Sequence, residues 1–142
     1  EEYFIPFGEA KIKKEGTDVT VVAFAKMVYD AMEAADELAK EGIAAEVIDP
    51  RTLVPLDRET ILASVRKTGR LVVVDEACQT CGVAAEIIAL VASNRELFGK
   101  LKAAPARVCG LEIPIPFSPP MEKFAIPDKG KIVAAVRQVM VK

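Results

Sequence analysis

The sequence contains no histidine. That removes the usual general base near neutral pH and the commonest metal ligand. It also excludes a Ser-His-Asp or Cys-His triad built within this chain. The eight glycines are scattered, and none falls into G-x-G-x-x-G or G-x-x-x-x-G-K-[ST], so no phosphate cradle is encoded. No apolar run approaches the roughly 18 residues of a membrane span. The net charge of -2 argues against nucleic acid or an anionic membrane as the main partner. The first residues, Glu1-Glu2-Tyr3-Phe4, have neither the basic start nor the apolar stretch of a signal peptide. They also lack an initiator Met, which is expected of a fragment or a processed product. Three cysteines without a secretion signal point to a reducing, cytoplasmic setting.

What is present reads as one globular domain. The chain has 142 residues, 51% apolar and 28% charged, which is neither disordered nor fibrous. A chain of this size buries about 70% of its unfolded surface, enough for a core without staples.

The elements follow from periodicity. Val19 to Ala25 is a continuous apolar run, as in a strand buried on both faces. Val28, Ala31, Met32, Ala35, Leu38 and Ala39 form one helical stripe, closed by Gly42. Ile43 to Ile48 is the next strand. Asp57 is placed to cap a helix carrying Ile61, Leu62 and Val65, which Gly69 ends. Leu71 to Val74 is a short strand, and a helix is expected from about Gly82 to Phe98. Ala106 to Cys109 is a further strand, and the last helix starts near Asp128. Gly8 to Lys14 alternates weakly and suits an exposed edge strand, joined through Glu15-Gly16-Thr17-Asp18. One weak strand followed by four strand-helix units predicts a parallel sheet with helices on both faces, the first strand antiparallel at an edge.

Two segments exceed what local folding requires. The link Asp49 to Asp57, DPRTLVPLD, carries two acids, an arginine and two prolines around the apolar pair Leu53 and Val54. Leu53 and Val54 are expected to dock this loop. Asp49 and Arg51 would set a contact within the domain or between subunits. Within the domain, the plain role for Arg51 is a surface ion pair with Asp49 or Asp57. Its functional role is to hold an anion or a partner carboxylate bidentately. The second segment, Leu111 to Pro127, contains five prolines and is expected to be ordered and extended. Ile113, Ile115, Phe117 and Met121 are costly to leave in water, so some surface within or beyond this chain must cover them.

Two places carry residues suited to other chemistry. Cys78 and Cys81 form a C-x-x-C at the start of an expected helix, where a lowered thiol pKa would serve a thiol-disulfide oxidoreductase. The motif lacks the preceding aromatic residue and the early strand of thioredoxin-like proteins. Cys109 is distant and a fourth soft ligand is missing, which disfavours zinc. Asp49, Asp75 and Glu76 lie at one expected sheet edge and could hold magnesium as in receiver domains. The companion acids and lysine of such domains are missing, and caps with surface ion pairs are the plainer explanation of these residues. A stand-alone module binding an acidic or phosphorylated ligand at Arg51 is the remaining alternative.

The run DPRTLVPLD, then LVVVDEA, CGVAAEI and IPFSPPMEKFAIPD, resembles the C-terminal domain of thiamine diphosphate-dependent 2-oxo acid dehydrogenase beta subunits, of the acetoin and pyruvate dehydrogenase type. The likeness extends from Ile5-Pro6-Phe7-Gly8 through the last helix. The wider group is the transketolase C-terminal domain. The resemblance implies a single domain over residues 1–142 belonging to a longer subunit. It implies a three-layer α/β/α sandwich on a five-stranded mixed sheet of order 1-3-2-4-5, with the first strand antiparallel. It places thiamine diphosphate and Mg in other parts of the intact enzyme, with no catalytic, cofactor or metal residue in this domain. Its implied role is assembly: pairing beta subunits, meeting the alpha subunit and docking the acyltransferase core. Asp49, Arg51, Glu76, Ile115, Phe117 and Met121 are the interface residues expected on this basis. The sequence departs from the family at Asp75-Glu76-Ala77, where His-Glu-Ala is frequent, and at Cys81-Gly82, where a Gly-Gly pair is frequent.

Overall fold

The computed structural model describes residues 3–141. Its five strands are β1 (Lys11–Lys14), β2 (Val19–Ala23), β3 (Ala45–Asp49), β4 (Leu71–Cys78) and β5 (Ala106–Gly110). They form one sheet of order β1-β3-β2-β4-β5. β1 runs antiparallel to β3, and the other pairings are parallel. The expected antiparallel edge is present, with β3 as its partner.

Alternation along the strands sends side chains to two separate cores. Val21, Val47 and Val72 pack with Leu38 of α1 (Met27–Ala39) and Val136 of α6 (Lys129–Met140). Val22, Ile48 and Val73 pack with Ile61 of α2 (Arg58–Thr68) and Ile87 of α3 (Val83–Ala92). This is the three-layer sandwich, and it explains why the strands read as continuous apolar runs: both faces are covered. Every residue of β2, the central strand, is buried.

Differences from the sequence reading lie at the end of β4 and in the segments that follow β4 and β5. β4 continues past Val74 to Cys78, with a register irregularity between Asp75 and Cys78. The helix expected over 82–98 divides at Ser93 into α3 and α4 (Arg95–Phe98), because the Asn94 side chain caps a new turn by accepting from Glu96 and Leu97 N–H. The proline-rich segment is not wholly extended. Ser118 precedes α5 (Pro119–Ala125), whose two prolines occupy first-turn positions where no N–H is needed.

Helix boundaries set by side-chain chemistry agree with expectation. Gly69 ends α2 in the left-handed conformation at φ 74, and the Asp128 side chain accepts from Lys131 N–H at 2.8 Å. Asp57 caps α2, accepting from Thr60 N–H at 3.1 Å, and its second oxygen accepts from Ala10 N–H at 3.0 Å. Burial pushes the Asp57 carboxyl up. The Thr60 hydroxyl and these N–H groups outweigh it and hold the group below its ordinary value. Asp57→Ala removes a cap and a tether to the N-terminal segment together. A loss of about 1–2 kcal/mol in urea unfolding is expected; a loss below a few tenths would show that neither bond contributes.

Candidate interface at the carboxyl edge of the sheet

Four parallel strands end at one edge, the place where open α/β sheets meet their ligands. The connections leaving β2, β3 and β4 there each contain one non-glycine residue in the left-handed region: Ala25 at φ 48, Arg51 at φ 61 and Cys81 at φ 57. Such conformations cost of order 1–3 kcal/mol and persist where surrounding bonds fix them.

The β3–α2 loop shows how. Asp49 Oδ1 accepts from Arg51 N–H at 2.9 Å, and the Thr52 hydroxyl donates to Pro55 O at 2.7 Å. Thr52 Oγ1 also accepts from Gly8 N–H at 2.9 Å, tying the loop to the N-terminal segment. The sequence reading misplaced two features here. Leu53 and Val54 do not dock the loop; they project outward at 46% and 92% exposure. Nor does the Arg51 guanidinium pair with Asp49 or Asp57. The first holds the loop through the backbone and the second is committed to capping. Arg51 instead lines two adjoining cavities of about 480 and 210 Å³, shared with Ala25 and Asp49 and walled by Phe7, Phe24 and Leu53.

On the other side of β2, Glu76 lines a cavity of about 380 Å³ beside Lys26, Pro119 and Lys123. Here the β4–α3 turn is bound to the proline-rich segment. Thr80 donates to Glu112 Oε1 through both its N–H, at 3.1 Å, and its hydroxyl. Arg107 donates to Gln79 O at 2.9 Å. Leu111 N–H donates to Ala125 O at 2.9 Å, and the Lys131 ammonium bonds Phe124 O and Ile126 O. The segment is therefore ordered by polar bonds, while its apolar side chains stay uncovered. Ile115 is 54% exposed, Met121 59% and Phe117 fully exposed. With Phe7, Leu53 and Val54 from the neighbouring loops, the edge presents far more large apolar surface than a solvated rim needs.

The redox and metal alternatives fare poorly against this geometry. α3 begins at Val83 with Gly82 as its N-cap, so Cys78 lies five residues before the helix and only Cys81 adjoins the cap. Cys78 ends β4 and its Sγ faces Thr80 O at 3.5 Å. Burial, and to a lesser extent the Asp75 carboxylate, push the thiol of the third cysteine, Cys109, up, which disfavours a thiolate at that position. For magnesium, Asp75 Oδ1 accepts from Ala77 N–H at 3.1 Å and Asp49 Oδ1 from Arg51 N–H, so each acid serves its own loop. No cluster of three His, Cys, Asp or Glu side chains that could hold a metal exists among the described residues. The acids present do not fit a magnesium-diphosphate group.

One polar site was missed. Glu46 on β3 is 1% exposed and pairs with the Lys67 ammonium, while its Oε2 also accepts from Gly16 N–H at 3.3 Å. Burial pushes the Glu46 carboxyl up; Lys67 foremost, with Ser64, Glu15 and Gly16, outweighs this and holds it below its ordinary value. Nearby, the Thr20 hydroxyl bonds those of Ser64 and Thr68 at 2.7 and 2.8 Å. A single Glu within the otherwise apolar run Ile43 to Ile48 was the signal for it.

Residues 8–132 match the family described as transketolase, C-terminal domain. The chain belongs to this family. It is 53% identical over 138 residues to the beta subunit of an acetoin:2,6-dichlorophenolindophenol oxidoreductase of Cupriavidus necator, covering 97% of this chain and 40% of that protein. It is 45% identical over 138 residues to a mitochondrial pyruvate dehydrogenase E1 component subunit beta of Dictyostelium discoideum, covering 97% of this chain and 38% of that protein. The chain thus spans about two fifths of the length of these relatives. Among solved structures, a split-gene transketolase in an inactive beta4 tetramer superposes with a TM-score of 0.76 at 32% identity, covering 96% of this chain and 43% of that one. The expected fold class, down to the antiparallel first strand and the sheet order, is the one observed. Among the described residues no helix is long and apolar enough to cross a membrane.

Proposed function

We propose that this chain is the assembly domain of the beta subunit of a thiamine diphosphate-dependent 2-oxo acid dehydrogenase, of the acetoin or pyruvate type. It pairs beta subunits and takes part in contacts with the alpha subunit and the acyltransferase core. Thiamine diphosphate and Mg are held by other parts of the intact enzyme. Three free thiols fit a reducing, cytoplasmic setting. The observation that carries the reading is the uncovered apolar carboxyl edge, on a chain so similar to named beta subunits. Asp49, Arg51, Glu76, Ile115, Phe117 and Met121 are the contact residues of this proposal.

Two results test it. The chain with added thiamine diphosphate and magnesium is expected to leave pyruvate and acetoin unconsumed; turnover by this chain alone would sink the reading. Phe117→Asp is expected to weaken self-association in sedimentation velocity by about tenfold or more, since a charge must then be buried at the contact. Its thermal midpoint is expected to stay near that of the wild type, because a fully exposed side chain contributes within about 0.5 kcal/mol. Unchanged association would remove the proline-rich segment from the interface.

A further inference from the structure

Charged side chains that are even half-buried are almost all matched in this protein. Lys14, Asp30 and Glu37 have ion-pair partners, Arg70 and Arg107 donate to carbonyls, and Asp18 and Asp128 accept backbone N–H groups. Among the described residues there are two exceptions: one half-buried cation, Arg51, and one half-buried anion, Glu76, have neither an ion pair nor a side-chain hydrogen bond. They have opposite signs and both lie at the carboxyl edge. Arg51 follows β3 and Glu76 is near the end of β4, the two strands that flank β2. Two strand spacings place their backbones about 10 Å apart. Long side chains can span that gap, but the two groups are not paired in this structure. Each is left partly out of water with no bonded partner, Glu76 having only Lys26 and Lys123 elsewhere in its cavity.

A two-fold axis passing by the end of β2 resolves both. A two-fold interface is self-complementary. It sets Arg51 of one copy against Glu76 of the partner subunit, and the partner subunit's Arg51 against Glu76 of the first copy. Phe7, Leu53 and Val54 lie on the Arg51 side and Phe117 and Met121 on the Glu76 side, so the same rotation would bring each exposed apolar group over the other. The guanidinium fork of Arg51 is shaped for bidentate contact with a carboxylate. Its left-handed backbone, fixed by Asp49, leaves the side chain free of both nearby acids.

We propose that a second copy of this chain docks carboxyl edge to carboxyl edge, with two reciprocal Arg51–Glu76 ion pairs at the centre of the apolar contact. The proposal rests on the assembly reading above and adds its register and its specificity determinants.

Sedimentation velocity over a concentration series, with variants, tests it. The wild type is expected to dimerise. Arg51→Glu and Glu76→Arg each put like charges together twice per dimer, and each is expected to raise Kd at least about 100-fold. An equimolar mixture of the two single variants is expected to form a heterodimer within about tenfold of wild-type affinity, because both pairs are then opposite in sign again. The double variant Arg51→Glu/Glu76→Arg is expected to recover to the same degree. Arg51→Gln and Glu76→Gln, whose neutral side chains suit partly exposed positions, serve if a reversal fails to fold; each is expected to weaken the dimer by about tenfold. A dimer indifferent to the single variants, or a mixture that stays monomeric, overturns the register and leaves assembly through this edge standing. A wild-type chain that is monomeric at every concentration overturns both.

Discussion

Gly16→Ala is expected to destabilise the domain by about 4 kcal/mol, a large part of the 5–15 kcal/mol typical of a domain this size. An added Cβ would lie 2.3 Å from Ala45 C, 2.4 Å from Glu46 N and 2.5 Å from Ala44 O. All three are backbone atoms where β3 begins, so no side chain can rotate away. Ordinary overpacking costs about 1–3 kcal/mol because neighbours adjust. Here adjustment means moving the start of β3. That would break the bonds from Thr17 and Asp18 N–H to Ala44 O, at 3.0 and 2.9 Å, and the one from Gly16 N–H to Glu46. Gly42→Ala is the control. Gly42 is left-handed at φ 80 with nothing within 4 Å of a new Cβ, so only backbone strain of about 1–2 kcal/mol is expected. Urea unfolding of both variants separates the two causes. Equal losses would mean that the close approach to β3 is not what makes Gly16 necessary.

Gly16 also shows where sequence reading stops. Its place in a turn between β1 and β2 was legible from Glu15-Gly16-Thr17-Asp18. The reason only glycine fits is the backbone of β3, which approaches because β1 crosses to pair there instead of folding back on β2. Local signals were reliable wherever the deciding partner lies within one helical turn. Asp57, Gly69 and Asp128 are of this kind, and each caps or closes its helix as expected. The sheet order was not legible from periodicity, which cannot rank strands; it entered through family resemblance.

Errors arose where long-range bonds override local pattern. β4 runs on to Cys78 because β5 offers pairing as far as Gly110, so Cys78 ends a strand, while Cys81 directly precedes the Gly82 N-cap where the helix was expected to begin. Leu53 and Val54 read as loop anchors because apolar residues usually are. The loop is held instead by Asp49, Thr52 and Asp57, which frees the apolar pair to face outward. Of the six expected contact residues, Asp49 turned out to be structural in part. Arg51, Glu76, Ile115, Phe117 and Met121 share the edge that the four parallel strands define.

Lys67→Met is expected to cost about 2 kcal/mol at pH 7, and the cost is expected to shrink as the solution is acidified. Breaking a buried ion pair costs about 3–5 kcal/mol because an unpaired charge remains. The value is set lower here because Lys67 is 40% exposed while Glu46 is 1% exposed, so water already screens one end. In the wild type the Glu46 carboxyl titrates below its unfolded value of 4.5. Its ionised form therefore stabilises the fold above that pH, and the contribution is lost as pH falls through the lower folded pKa. The Lys67 ammonium is raised, first by its bond to Glu46, so its share persists to the unfolded value of 10.5 and is lost only as pH rises through the higher folded one. Removing Lys67 reverses the sign for Glu46. Burial then dominates, the folded pKa moves above the unfolded one, and the ionised carboxyl destabilises. Protonation relieves it, so the gap to wild type narrows to within about 1 kcal/mol as pH approaches the unfolded value. Adding Glu46→Gln to Lys67→Met removes the stranded charge, and the double variant is expected to be more stable at pH 7 than Lys67→Met alone. Urea midpoints of the wild type and both variants at several pH values provide the check. A gap that does not change with pH would show that Lys67 acts through packing and not through the charge of Glu46.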